Sequence, residues 1–140
     1  MNAIYTTEAV STGAGRNGSA RTDDGRLELR LAAPKALGGS GDGTNPEQLF
    51  AAGYAACFHS ALQLVARQAK ADIGESSVGA RVSIINDGQG GFGLEVGLEV
   101  VIPTLSHHEA TALAEKADKV CPYSNATRGN LDVTITVTDD

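Results

Sequence analysis

The chain's 140 residues, 41% apolar and 20% charged, suit one folded domain over residues 1–140 and argue against disorder or two full domains. Eleven Lys and Arg against seventeen Asp and Glu leave a formal charge of -6, which disfavours nucleic acid or an anionic membrane as partner because like charges repel. No run approaches the roughly 20 apolar residues of a bilayer span, Met1-Asn2-Ala3-Ile4-Tyr5 does not read as a signal peptide, and two cysteines cannot staple a scaffold, so the expected setting is the reducing cytoplasm.

Along the chain, Gly13-Ala14-Gly15-Arg16-Asn17-Gly18 spells the dinucleotide-binding glycine pattern. The polar stretch Ser19 to Gly25 follows where that motif needs a helix, so the segment is read as a loop that presents Arg16. Leu27, Leu29 and Leu31 alternate with charged residues and predict a strand. Gly38 to Gly43 lacks the Lys and Ser or Thr of a phosphate-binding loop and leads instead into a helix. Thr44-Asn45-Pro46-Glu47 supplies the helix's cap, an early Pro and a first-turn acid, and the helix is expected to run to about Lys70. From Leu49 to Phe58 every residue is apolar or Gly, which predicts a segment buried all round. In a chain this small the expected cover is the same helix of a second subunit, hence a homodimer.

Val82 and Ile84, then Leu94, Val96, Leu98 and Val100, predict two strands joined by a hairpin over Asn86 to Gly91. The capping box Ser106-His107-His108-Glu109 opens a second helix, which Pro122 is expected to end. Leu131, Val133, Ile135 and Val137 complete the pattern with a last strand. Strands, long helix, hairpin, helix, strand is an α+β order with a mostly antiparallel sheet.

Cys57 falls inside the apolar helix and Cys121 at the end of the second helix. A buried Cys is commonly a small hydrophobe, and inert packing stays open on these residues alone. A reactive thiol in apolar surroundings needs an imported positive charge, and Arg16 in its Gly-flanked loop can bring one. Cys121 sits at a helix C-terminus, where the macrodipole disfavours a thiolate, so it suits a thiol that waits for an oxidised partner: Cys57 attacks and Cys121 resolves. Glu47 is either a first-turn acid or the group that positions Arg16. Ten residues, about 15 Å of helix, separate it from the Cys57 of its own chain, so holding Arg16 over that thiol calls for an antiparallel partner helix and a site assembled from both subunits. His59 lies about 200° around the helix from Cys57 and cannot be its base. His107 and His108 read as a solvated cap with no third ligand, and no metal is expected.

Gly41-Asp42-Gly43-Thr44-Asn45-Pro46-Glu47-Gln48-Leu49-Phe50-Ala51-Ala52-Gly53-Tyr54-Ala55-Ala56-Cys57-Phe58, with Val120-Cys121-Pro122-Tyr123-Ser124-Asn125-Ala126-Thr127-Arg128, resembles the organic hydroperoxide resistance branch of the Ohr/OsmC superfamily. The resemblance spans the chain, from Tyr5-Thr6 and the Arg16 loop through Pro34 and Leu37-Gly38-Gly39. It implies a cysteine peroxidase that reduces alkyl and fatty-acid hydroperoxides to alcohols, with Cys57 peroxidatic, Cys121 resolving through a Cys57–Cys121 disulfide, and Arg16 with Glu47 as activating pair. It also implies an intertwined homodimer whose long central helices are wrapped by mostly antiparallel sheets. Regeneration by dihydrolipoamide or a lipoylated protein, with no metal or organic cofactor, belongs to the same implication. The Gly-Ala-Gly-Arg loop departs slightly from the Gly-Gly-Arg common among members.

An apolar helix around Cys57 would favour organic over hydrogen peroxide, since a tail gains about 0.8 kcal/mol per buried methylene. Phe50, Phe92, Leu37 and Tyr123 are candidate pocket walls and equally candidate core residues. Three other readings compete: an OsmC-type peroxidase, a general thiol-disulfide oxidoreductase, which usually shows Cys-x-x-Cys at a helix start, and a dimeric binding or structural protein with silent cysteines.

Overall fold

Gly13 and Gly15 take positive φ values of 83° and 61°, and a side chain on Gly18 would collide with the Thr12 carbonyl oxygen. The glycine pattern is therefore a tight turn between strands, not a phosphate cradle. A single 3-10 turn, Gly15–Asn17, links β1 (Ala9–Thr12) to β2 (Ser19–Thr22), which pairs in turn with β3 (Glu28–Arg30), antiparallel throughout. The start of the stretch expected as a polar loop is thus strand β2, and β1 carried no signal because all four of its residues are exposed. The structure, a computed structural model, describes residues 1–139. These strands belong to a first unit, Met1–Leu49, and a second unit covers Phe50–Asp140. In the first unit only Leu31, Ala32, Ala33 and Asn45 are buried.

Helix α1 spans Pro46–Gln68. Asn45 Oδ1 accepts the Gln48 N–H at 2.9 Å while the Asn45 N–H donates to Gln48 Oε1 at 3.3 Å, a reciprocal box with Pro46 in the first helical position, where its missing N–H costs nothing. Lys70, at φ 56°, stops the chain from continuing as helix. Tyr54, Phe58, Ala61, Leu62, Val65 and Ala66 form the buried face. Phe58 and Leu62 are fully buried, contributing about 1.5–3 kcal/mol each. The expectation that Leu49 to Phe58 is buried all round fails within one chain: Ala52 and Ala56 are exposed, and Ser60 and Leu64 continue that open stripe at four-residue intervals. A second correction concerns length, because α1 is long and apolar enough to cross a bilayer by those criteria alone. A core helix passes the same test, and six residues of α1 lie in a packed core.

In the second unit, β4 (Ser77–Asn86), β5 (Phe92–Val101) and β6 (Val133–Thr138) form a sheet in that order. β4 and β5 are the expected hairpin; Asp87 Oδ1 accepts the Gln89 and Gly91 N–H groups and closes its loop. β5 and β6 pair in parallel, which requires a crossover, and α2 (His107–Val120) and α3 (Pro122–Thr127) provide it. Val96, Leu98 and Val100 alternate with exposed Glu95 and Glu99, so one sheet face meets α1 and the α2 residues Ala110, Leu113, Ala114 and Ala117 in a single core. The Ser106 capping box is present as expected. Pro122 does end α2, but it also begins α3, a helix the sequence pattern did not suggest. The architecture is α+β, with three antiparallel strand pairings and one parallel among the described residues.

Candidate active site

The first unit builds a fixed cation. Arg16 donates from Nη1 to Glu47 Oε2 at 2.8 Å and from Nη2 to Glu47 Oε1 at 2.7 Å, a two-pronged pair between the 3-10 turn and the first turn of α1. The hydrogen bonds from Arg16 hold the Glu47 carboxyl below the usual carboxylate range against the opposing effect of its burial, and the same bonds raise Arg16. Glu47 is therefore more than a first-turn acid: it orients the guanidinium. Asn17 Oδ1 accepts the Ala33 N–H at 3.1 Å and ties the turn down beside Arg16.

The second unit builds a thiol pair. Cys57 is half-buried on α1, Cys121 is fully buried at the α2–α3 junction, and their sulfurs stand 3.6 Å apart with both thiols free. A disulfide needs about 2.05 Å, so closure asks the sulfurs to approach by roughly 1.5 Å. The helix-end argument for Cys121 needs correcting. This residue closes α2 and also caps α3, its sulfur accepting the Ser124 N–H at 3.5 Å, so the C-terminal dipole of one helix is met by the N-terminal end of another. Burial pushes the Cys57 thiol up, the Tyr123 backbone N–H pulls it the other way, and the neighbouring Cys121 sulfur pushes it up again. Within its own unit the balance favours the neutral thiol.

Three residues that sequence reasoning missed lie beside this pair. The Tyr54 hydroxyl, fully buried, sits 2.8 Å from Ser124 Oγ and 3.2 Å from Thr127 Oγ1, and Thr127 donates to the Ser124 carbonyl at 3.2 Å. The available signals were Tyr54 three residues before Cys57, hence on its helix face, and Ser124 and Thr127 at the same spacing after a Pro that can start a helix. Phe50, Tyr54 and Tyr123 form an aromatic cluster with centroids 5.6–6.1 Å apart. Phe50 and Tyr123, two of the candidate pocket walls, thus lie together; Tyr123 is exposed, as are the other two candidates, Phe92 and Leu37.

Gly53 lies beneath the Tyr123 ring, where a Cβ would stand 2.7 Å from the hydroxyl oxygen and 3.2 Å from ring carbons. Gly→Ala inside a helix normally stabilises by about 1 kcal/mol. Gly53→Ala is expected to give no such gain, because Tyr123 must leave Phe50 and Tyr54 to admit the methyl group. In a Tyr123→Ala background the same change should recover about 1 kcal/mol, measured as a coupling in urea denaturation.

His59 Nε2 pairs with Ser76 Oγ at 2.9 Å, and His107 and His108 are exposed in the first turn of α2. Among the described residues no group of three His, Cys, Asp or Glu is arranged to hold a metal ion.

The family model for OsmC-like protein matches residues 39–136. The organic hydroperoxide resistance protein of Xanthomonas axonopodis pv. citri is 52% identical over 138 residues, covering 96% of this chain and 94% of its own length. A crystal structure of an organic hydroperoxide resistance protein from Elizabethkingia anophelis aligns with a TM-score of 0.94 at 53% identity over the whole of both chains. One from Legionella pneumophila aligns with a TM-score of 0.94 at 52% identity, over 98% of this chain and 99% of its own.

Proposed function

Because the chain belongs to the OsmC-like family, and within it to the organic hydroperoxide resistance proteins, we propose that it is a cysteine peroxidase that reduces alkyl and fatty-acid hydroperoxides to alcohols. The observation that carries this reading is the free Cys57–Cys121 pair at 3.6 Å, one sulfur half-buried and the other sealed. The Cys57 thiolate attacks the terminal peroxide oxygen, the O–O bond breaks, and the departing alkoxide takes a proton to leave as alcohol, with Cys57 oxidised to a sulfenic acid. The Cys121 thiol then displaces water to form the disulfide. A dithiol of the dihydrolipoamide class, free or on a lipoylated protein, takes up the oxidising equivalents, and the cycle uses no metal or organic cofactor.

Burial holds the Cys57 thiol up, so thiolate at neutral pH requires a cation. Arg16, oriented by Glu47, is assigned to that task and to the negative charge that develops on the peroxide oxygens. A second copy of the chain is assigned to cover the stripe Ala52, Ala56, Ser60 and Leu64, whose small residues allow close helix approach, and the wholly exposed β1 strand agrees with such a partner. The cytoplasm, where the reduced cysteines would be maintained, is the proposed location.

Mass spectrometry after one equivalent of cumene hydroperoxide tests the reading. The expected product is the Cys57–Cys121 disulfide within seconds, with one equivalent of cumyl alcohol. A chain that reacts with disulfides but not with peroxide would instead be a general thiol-disulfide oxidoreductase, and one that stays reduced would be a structural protein.

A further inference from the structure

The hydroxyls of Tyr54, Ser124 and Thr127 carry one proton each, and with Thr127 donating to the Ser124 carbonyl, which also accepts the Arg128 N–H at 2.9 Å, the other two bonds take one direction. Thr127 spends its proton on the Ser124 carbonyl, so it must accept from Tyr54. Tyr54 has then spent its own proton and must accept from Ser124. The result is a closed circuit, Ser124 to Tyr54 to Thr127 and back to Ser124, with no spare donor. It ties the first turns of α3 to a side chain of α1 and is buried at all three residues. The same Ser124 donates its backbone N–H to the Cys121 sulfur. Tyr54 stands three residues from Cys57, so the anchor of the circuit and the attacking sulfur share one face of one rigid helix.

We propose that Tyr54 is a positioning residue for disulfide closure: its hydroxyl fixes Ser124, and Ser124 fixes the Cys121 side chain in the orientation that points its sulfur at Cys57. An apolar contact between α3 and α1 could slide or rotate at little cost. A directional circuit of three hydroxyls cannot, because each hydrogen bond weakens steeply off its axis. The rotamer of Cys121 matters more than its backbone. A sulfur turned into another staggered well points away from Cys57, and the Ser124 N–H selects the productive well. The step being positioned is attack of the Cys121 sulfur on the Cys57 sulfenic sulfur, in which the S–S bond forms, the S–O bond breaks and the hydroxide takes the Cys121 proton to leave as water. The proposal rests on the peroxidase reading only for the identity of the oxidant.

The test separates the two chemical steps in a single turnover. Tyr54→Phe is mixed with substoichiometric cumene hydroperoxide, peroxide loss is followed directly, and dimedone traps any sulfenic acid for mass spectrometry. Peroxide consumption should stay within about twofold of the wild type, while disulfide closure slows about tenfold or more and the Cys57 dimedone adduct rises in proportion, since a misplacement of about 1 Å costs up to about a hundredfold in an intramolecular step. Thr127→Val should reproduce the slow closure and Thr127→Ser, which restores the hydroxyl, should reverse it. Wild-type closure in folded Tyr54→Phe, or in Thr127→Val should Tyr54→Phe not fold, overturns the proposal. So does equal closure in Thr127→Val and Thr127→Ser. Diamide, which oxidises dithiols without a peroxide, distinguishes this failure from that of the peroxidase reading. If the wild type ignores hydroperoxide yet closes faster with diamide than Tyr54→Phe does, the circuit stands and the peroxidase reading falls.

Discussion

Cys57→Ser is expected to fold normally and to lose hydroperoxide turnover by a factor on the order of 10⁴ or more, the scale on which an enzyme loses rate when its nucleophile is removed. A serine hydroxyl is isosteric enough to keep the packing of α1, through Gly53 and Tyr54, against Tyr123, and it is neither acidic nor soft enough to attack a peroxide oxygen. Cys121→Ser should behave differently. It consumes one equivalent of cumene hydroperoxide at close to the wild-type rate, then stops, with dimedone-reactive sulfenic acid at residue 57 and no intramolecular disulfide. The proposed division of roles rests on exposure: Cys57 is half-buried, whereas Cys121 is sealed between α2 and α3. Sulfenic acid found at Cys121 in the Cys57→Ser protein would reverse it.

Arg16→Ala is expected to slow the first step about 10²–10³-fold at pH 7, the loss typical of removing one preorganised donor from a developing charge. The sign of its pH dependence follows from the thiol. Burial raises Cys57, so below its own titration point the thiolate fraction grows tenfold with each pH unit, and the variant should regain much of the deficit in alkaline buffer. The part that persists at high pH measures the arginine's action on the peroxide oxygens. Arg16→Lys should recover little, because a lysine cannot span both oxygens of Glu47 as the guanidinium does. Glu47→Gln keeps a partner on one side and should lose about tenfold, a charge-assisted pair being worth roughly twice a neutral hydrogen bond. Wild-type kinetics in Arg16→Ala across the pH range would remove the arginine from the mechanism.

Signals that act over one turn of helix were readable from the residues. Asn45-Pro46 and Ser106 open helices where expected, because a cap is satisfied by the backbone two or three positions away. The β4–β5 hairpin was equally plain, its alternating residues reporting a sheet with one wet face. β1 was hidden for the converse reason: a strand with no buried face has no alternation to show. α3 is hidden because a Pro that stops one helix suits the first position of the next equally well, with Cys121 as the cap shared between them.

The residue types alone determined the chemistry on offer: two thiols, one in an apolar stretch, and an arginine and an acid that could pair. Only the folded chain decided who meets whom. Cys57 and Cys121 are separated by 64 positions and Tyr54 and Ser124 by 70, and such contacts are set by how α1, the crossover helices and the sheet pack, which no local pattern encodes. The same packing made a junction of two helices out of what looked like one helix end, and so replaced a dipole argument about Cys121 with a hydrogen bond from Ser124.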